Sequence, residues 1–158
     1  MDGAIYAASV DGIDYIKFVG TVRYSHCSGL EAYIDTLFAE NPCNEIAIDL
    51  EDAEILDSTA LGLLAKVAIE MKKRTEKRPV IFMAPGELTN IIKRVCFDQV
   101  FSLVFDNHRQ PIEELEELVA QPQDDETVLR RVIEAHRNLA ELSQENKALY
   151  TDITNVLK

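Results

Sequence analysis

The chain has 158 residues and a formal net charge of -12, from 28 acidic against 16 basic side chains, and 47% of its residues are hydrophobic. That length and apolar content suit one domain with a real core plus an appendage. The charge opposes both the phosphate-neutralising surface of a nucleic-acid binder and adsorption to an anionic membrane, so a protein partner with basic patches fits better.

The chain opens on Ala4 to Val10 and Ile13 to Val19, two β-like runs separated by Asp11-Gly12, a hairpin turn signal. In the next segment Leu30, Tyr33, Ile34, Leu37 and Phe38 recur at helical spacing and predict a first helix ending at Asn41-Pro42. Ile46, Ala47, Ile48 and Leu50 form an apolar run suited to a strand covered on both faces, and Ile55-Leu56 returns the chain to the core. The period then changes. Leu61, Leu64, Ala65, Ala68 and Met71 fall on one helical face and Lys66, Glu70 and Lys73 mostly on another, so Ser58 reads as the N-cap of an amphipathic helix. Pro79 to Met83 predicts the next parallel strand, Leu88, Ile91, Ile92 and Val95 a short third helix, and Phe101 to Phe105 an edge strand. Pro111 should start an acidic helix, IEELEELVA. The order β-β-α-β-α-β-α-β-α predicts an α/β domain over residues 1–120: a mixed five-stranded sheet packed against about four helices.

Gln121 to Asp125 is a polar break, and 126–158 contains neither Pro nor Gly. One long amphipathic helix is expected across 124–158. Val128, Val132, Ala135, Leu139, Leu142, Asn146, Leu149, Ile153 and Val156 fit alternating heptad positions, widened by Leu129, Tyr150 and Leu157. A homodimer through 126–158, a partner helix, and packing onto the chain's own domain all fit that stripe.

Catalytic and cofactor motifs are missing: Ser58 stands in LDSTALG and not in G-x-S-x-G, and no Gly-rich phosphate loop occurs. His26, His108 and His136 are scattered without metal-ligand spacing. Asp49, Asp52 and Asp57 form at most a weak carboxylate cluster for a divalent ion. Cys27, Cys43 and Cys96 lack a C-x-x-C pair and read as structural thiols. A protein without enzymatic activity, metal or cofactor is expected. With neither a signal peptide nor a run of about 18 apolar residues, the expected location is cytoplasmic. Ser58 itself fits capping alone, or a phosphorylation site in which the helix dipole and the N–H groups of Thr59, Ala60 and Leu61 receive the phosphate.

The block IDLEDAEILDSTALGLL, with two preceding strands and the later PVIFMAPGELTNIIKRVCFDQVFSLV, resembles the STAS domain of bacterial anti-sigma-factor antagonists. Its D-S-[ST]-[GA]-L-G motif follows a buried strand and opens a helix, as in that family. The resemblance implies the STAS fold and makes Ser58, beside Asp57, the residue phosphorylated by a serine kinase that is often also the anti-sigma factor. A PP2C-type phosphatase would remove the phosphate. Unphosphorylated, the chain would bind an anti-sigma factor or equivalent switch protein and release the sigma factor. The implied docking face comprises Asp57, Ser58, Thr59, Gly62 and Leu63 with the loop Thr21 to Cys27, including Arg23 and Tyr24. Ala60 replaces a common Gly, and Thr21-Val22-Arg23 replaces the usual acidic loop. A STAS scaffold subunit that oligomerises in a signalling assembly is the alternative.

Overall fold

The computed structural model describes residues 2–40, 45–105 and 114–148. Among these residues six strands form one mixed sheet in the order β5-β4-β3-β2-β1-β6. Strands β1 (Ala4–Val10) and β2 (Ile13–Val22) make the expected hairpin. Asp11 and Gly12 both take positive φ, 52° and 79°, as a two-residue primed turn requires. Helix α1 (Ser28–Glu40) then crosses to β3 (Glu45–Leu56), which runs parallel to β2. Helices α2 (Ser58–Arg74) and α3 (Glu87–Arg94) lead to β4 (Val80–Phe82) and β5 (Ser102–Val104), both parallel additions. Ile16, Phe18, Ile48, Leu50 and Ile81 of the sheet meet Leu30 and Ile34 of α1 and Leu61 and Leu64 of α2 in one buried cluster. The Asn41-Pro42 helix stop, Cys43 and His108 lie outside the described residues.

The α/β class and the mixed sheet agree with the sequence reading, and two elements differ. The acidic helix predicted from Pro111 is absent from its described part. Glu116–Glu117 instead forms β6, a sixth strand antiparallel to β1, and the Leu118 N–H donates to Ile5 O at 2.8 Å. The unpaired backbone edge of β1 overrides the weak local preference for helix. Gly29 lets this segment pass closely, since a Cβ there would lie 2.8 Å from Val119 O.

The tail is the second difference. Helix α4 (Asp125–Glu141) starts at the expected place, with Asp124 Oδ1 accepting from Thr127 N at 2.8 Å, but stops after Glu141. Ser143 Oγ accepts from Asn146 N at 3.0 Å and opens a separate helical turn over residues 144–148. The described part of the heptad stripe packs on the chain's own domain. Ala135, Leu139 and Asn146 are buried, and Asn146 Nδ2 donates to Val95 O at 2.6 Å. Leu149, Ile153 and Val156 lie outside the described residues.

Candidate functional site

The site grows from the junction of β3 and α2. Strand β3 ends at Leu56, and Asp57 turns the chain with extended backbone, φ -77° and ψ 175°. Asp57, and not Ser58, is the N-cap: its Oδ1 accepts from Ala60 N at 2.9 Å. Its other carboxylate oxygen accepts from Tyr24 N at 2.6 Å, and its own N–H donates to Val22 O at 3.1 Å. One aspartate therefore fixes the start of α2 and ties it to the loop after β2. That loop closes as a 3-10 turn over Tyr24–His26, with His26 Nδ1 accepting from Arg23 N at 3.0 Å. The Cys27 Sγ–H reaches Arg23 O at 3.3 Å. Its pKa is pushed up to about 12, chiefly by burial and then by the Asp57 carboxylate, with Arg131 opposing.

Ser58 is the first residue of α2 and is half-buried. Its Oγ lies 2.9 Å from His136 Nε2 on α4, while His136 Nδ1 lies 2.7 Å from Val132 O. A carbonyl can only accept, so Nδ1 carries the ring proton; in the neutral ring Nε2 then accepts from the Ser58 hydroxyl. A serine and a histidine at this spacing resemble a nucleophile and its base, with the carbonyl as orienting group. His136 is only 6% exposed between α4 and α2, however, and the clefts around Lys72, Thr75, Arg78 and Val100 lie at the other end of α2. The pair holds two helices together.

Gly62 lies one turn further along α2, where a Cβ would fall 2.3 Å from Ala135 O, so the two helix backbones touch there. Arg131 of α4 is 2% exposed and pairs with Glu31 of α1 at 3.2 Å. Its Nη2 also donates to Gln123 Oε1. With the sheet on one side and α4 on the other, α2 is buried nearly all round over Thr59 to Ala65.

The expected docking residues thus divide. Arg23 and Tyr24 are exposed, Tyr24 by 50%, while Thr21, Asp57 and Ser58 are half-buried. Thr59 and Gly62 are buried, and Leu63 belongs to the core cluster and offers no surface. Of the N–H groups expected to receive a phosphate, Ala60 N and Leu61 N are already taken by the Asp57 side chain and carbonyl. The three imagined metal carboxylates also separate. Asp49 and Asp52 converge on the Lys17 ammonium, at 3.2 and 2.8 Å, and Asp57 caps α2. Among the described residues no cluster of acidic, His and Cys side chains fits a metal ion, and no helix is long and apolar enough to cross a membrane. Sequence reasoning missed His136, which lies 78 residues from Ser58; its only signal was a place beside Ala135 in the heptad stripe.

Comparison with known proteins gives a consistent fold. The STAS domain family model matches residues 4–110. No curated protein matches the chain. Among solved structures, the chain is similar to the anti-sigma factor antagonist SpoIIAA in its unphosphorylated form, with TM-score 0.53, 15% identity, and coverage of 65% of this chain and 87% of that one. It is likewise similar to an anti-sigma factor antagonist from Mycobacterium paratuberculosis, with TM-score 0.54, 20% identity, and coverage of 66% and 87%. Helix α4 lies beyond the residues that the family model matches.

Proposed function

The chain belongs to the STAS domain family, and we propose that it is a non-enzymatic anti-sigma-factor antagonist switched by phosphorylation of Ser58. The supporting observation is the placement of Ser58 directly after the cap, on the first turn of α2, beside the exposed Arg23-Tyr24 loop. A hydroxyl there can take a phosphate without breaking a backbone hydrogen bond, because Asp57 does the capping. The added charge, roughly -1.5 to -2, would sit against the Asp57 carboxylate and the dipole-favoured start of α2. A partner docked over Asp57, Ser58, Thr21, Arg23 and Tyr24 meets a changed charge while the fold survives. The proposed partners are an anti-sigma factor that also serves as the serine kinase, and a PP2C-type phosphatase that resets the site.

Names carried by two solved structures of similar fold support the partner class. The scaffold alternative draws less support, because the described part of the stripe, Ala135, Leu139 and Asn146, is buried against the chain's own domain. Phosphopeptide mapping of the native protein is expected to place phosphate on Ser58 and not on buried Thr59. Capture with Ser58→Ala and Ser58→Asp baits should retain the partner on the first bait only. Equal recovery on both would contradict the switch.

A further inference from the structure

Helix α4 occupies the α2 surface that adjoins the proposed docking residues and shares Ser58 with them. His136 lies on the Ser58 hydroxyl, Ala135 on Gly62, and Leu139 is fully buried in the common core. Gly62 is covered by Ala135 in this arrangement and could meet a partner only once α4 has moved. The docked helix depends on few large apolar anchors: of its buried residues Ala135 and Leu139 are apolar and Arg131 and His136 polar, and Asn146 in the turn that follows is polar and buried too. The polar part of this interface is imperfectly satisfied: Arg131 Nε and Asn146 Oδ1 are buried without a hydrogen-bond partner among the described residues, a cost that a helix with better-matched groups would relieve.

The connection to the domain favours departure as a unit. Gln121 is anchored, its N–H donating to Ser28 Oγ at 2.7 Å and its carbonyl accepting from the same hydroxyl at 3.3 Å. Helix α4 starts at Asp125, capped locally by Asp124. Pro122 and Gln123 supply the hinge at its start while the sheet edge stays in place, and at its far end the Asn146–Val95 and Ser143–Cys96 hydrogen bonds must open as well.

We infer that the α2 face is a helix-binding surface, that α4 is its resident and displaceable occupant, and that the partner inserts a helix of its own there. The chemistry of that helix follows from what α4 supplies. A small residue fits against Gly62, as Ala135 does, because the two backbones are in contact there and the Ala135 side chain is 1% exposed. A basic side chain four residues before it must answer Glu31, which loses Arg131 when α4 leaves. Ser58 becomes reachable by a kinase in the same released state. The inference rests on the docking reading above, but its test does not.

In hydrogen exchange on the full-length protein, amides of 125–141 should exchange as one unit at least ~100-fold faster than those of β2 and β3, because a displaceable helix opens without global unfolding. Ala135→Glu, which forces a carboxylate against the α2 backbone, should raise α4 exchange at least ~10-fold and leave sheet protection intact. A synthetic peptide of residues 124–148 should then bind the full-length Ala135→Glu protein and not the wild type, and the same peptide with Arg131→Ala should bind more weakly. Exchange of α4 only together with the sheet, loss of sheet protection in Ala135→Glu, or no peptide binding to the folded variant would each overturn the inference. A null result for Ser58→Asp on partner capture would fail the phosphorylation switch alone.

Discussion

Asp57 and Ser58 are adjacent, and their roles are reversed from the simplest reading. Both residue types are favoured caps, so composition could not choose between them. The choice comes from Tyr24 N, 33 residues away, which takes one Asp57 oxygen and leaves the other aimed at Ala60 N. Asp57→Ala should cost about 1–2 kcal/mol of unfolding free energy in urea titration, as loss of a cap does, and should also loosen the 23–26 turn. Buried Lys17 faces Asp49 and Asp52, with Tyr15 also donating to Asp49. Lys17→Met strands Asp49 without its cation at 0% exposure, so a loss of about 3–5 kcal/mol is expected, partly recovered by adding Asp49→Leu. Cys27 should resist alkylation at neutral pH while the protein is folded. Its pKa lies near 12 in the fold against an ordinary value of 9.0, so the folded state holds its proton more tightly. The corresponding stability is fully present below pH 9 and is lost between pH 9 and about 12. Urea midpoints across that window should fall, and fall less in Cys27→Ala.

Most helices and strands were legible because their periodicity matched their burial: Leu30 and Ile34 for α1, Ile46 to Leu50 for β3, Leu88 and Ile92 for α3. The failures share a cause. IEELEELVA has helical spacing, yet an open strand edge at Tyr6 and Ala7 competes for its backbone, and neither the edge nor its distance is written in the local sequence. The break at Ser143 contains no Pro or Gly; it follows from Asn146 reaching Val95 O and Ser143 reaching Cys96 Sγ. The Asp124 pKa is held below its ordinary value of 3.8 by its hydrogen bonds with Thr127. A carboxylate with a depressed pKa stabilises above its unfolded value and loses that contribution as pH falls. Protection of α4 amides should therefore drop below about pH 3.8 before that of the sheet. Leu139→Ala should cost about 2–5 kcal/mol, as large core truncations do, with α4 exchange rising most.

At the scale of the molecule, the alternation of strands and helices was enough to predict an α/β domain with a mixed sheet. The D-S-T-A-L-G motif marked the end of the sheet where the site lies. What the order of elements could not convey was that α4 folds back over that site, because an amphipathic stripe specifies that it must be covered but not by what. Gly62 was the one local clue, a glycine inside a helix otherwise rich in good formers, and its reason is the Ala135 backbone. The account centres on Ser58 as the residue whose charge decides docking. Its most direct test is the Kd of the protein captured by Ser58→Ala, measured for wild type, Ser58→Ala, Ser58→Glu and Ser58-phosphorylated chains of equal fold. The account predicts matching affinities for the first two and at least ~10-fold weaker binding for the last two, about 1.4 kcal/mol or more. Equal affinity across all four would contradict it.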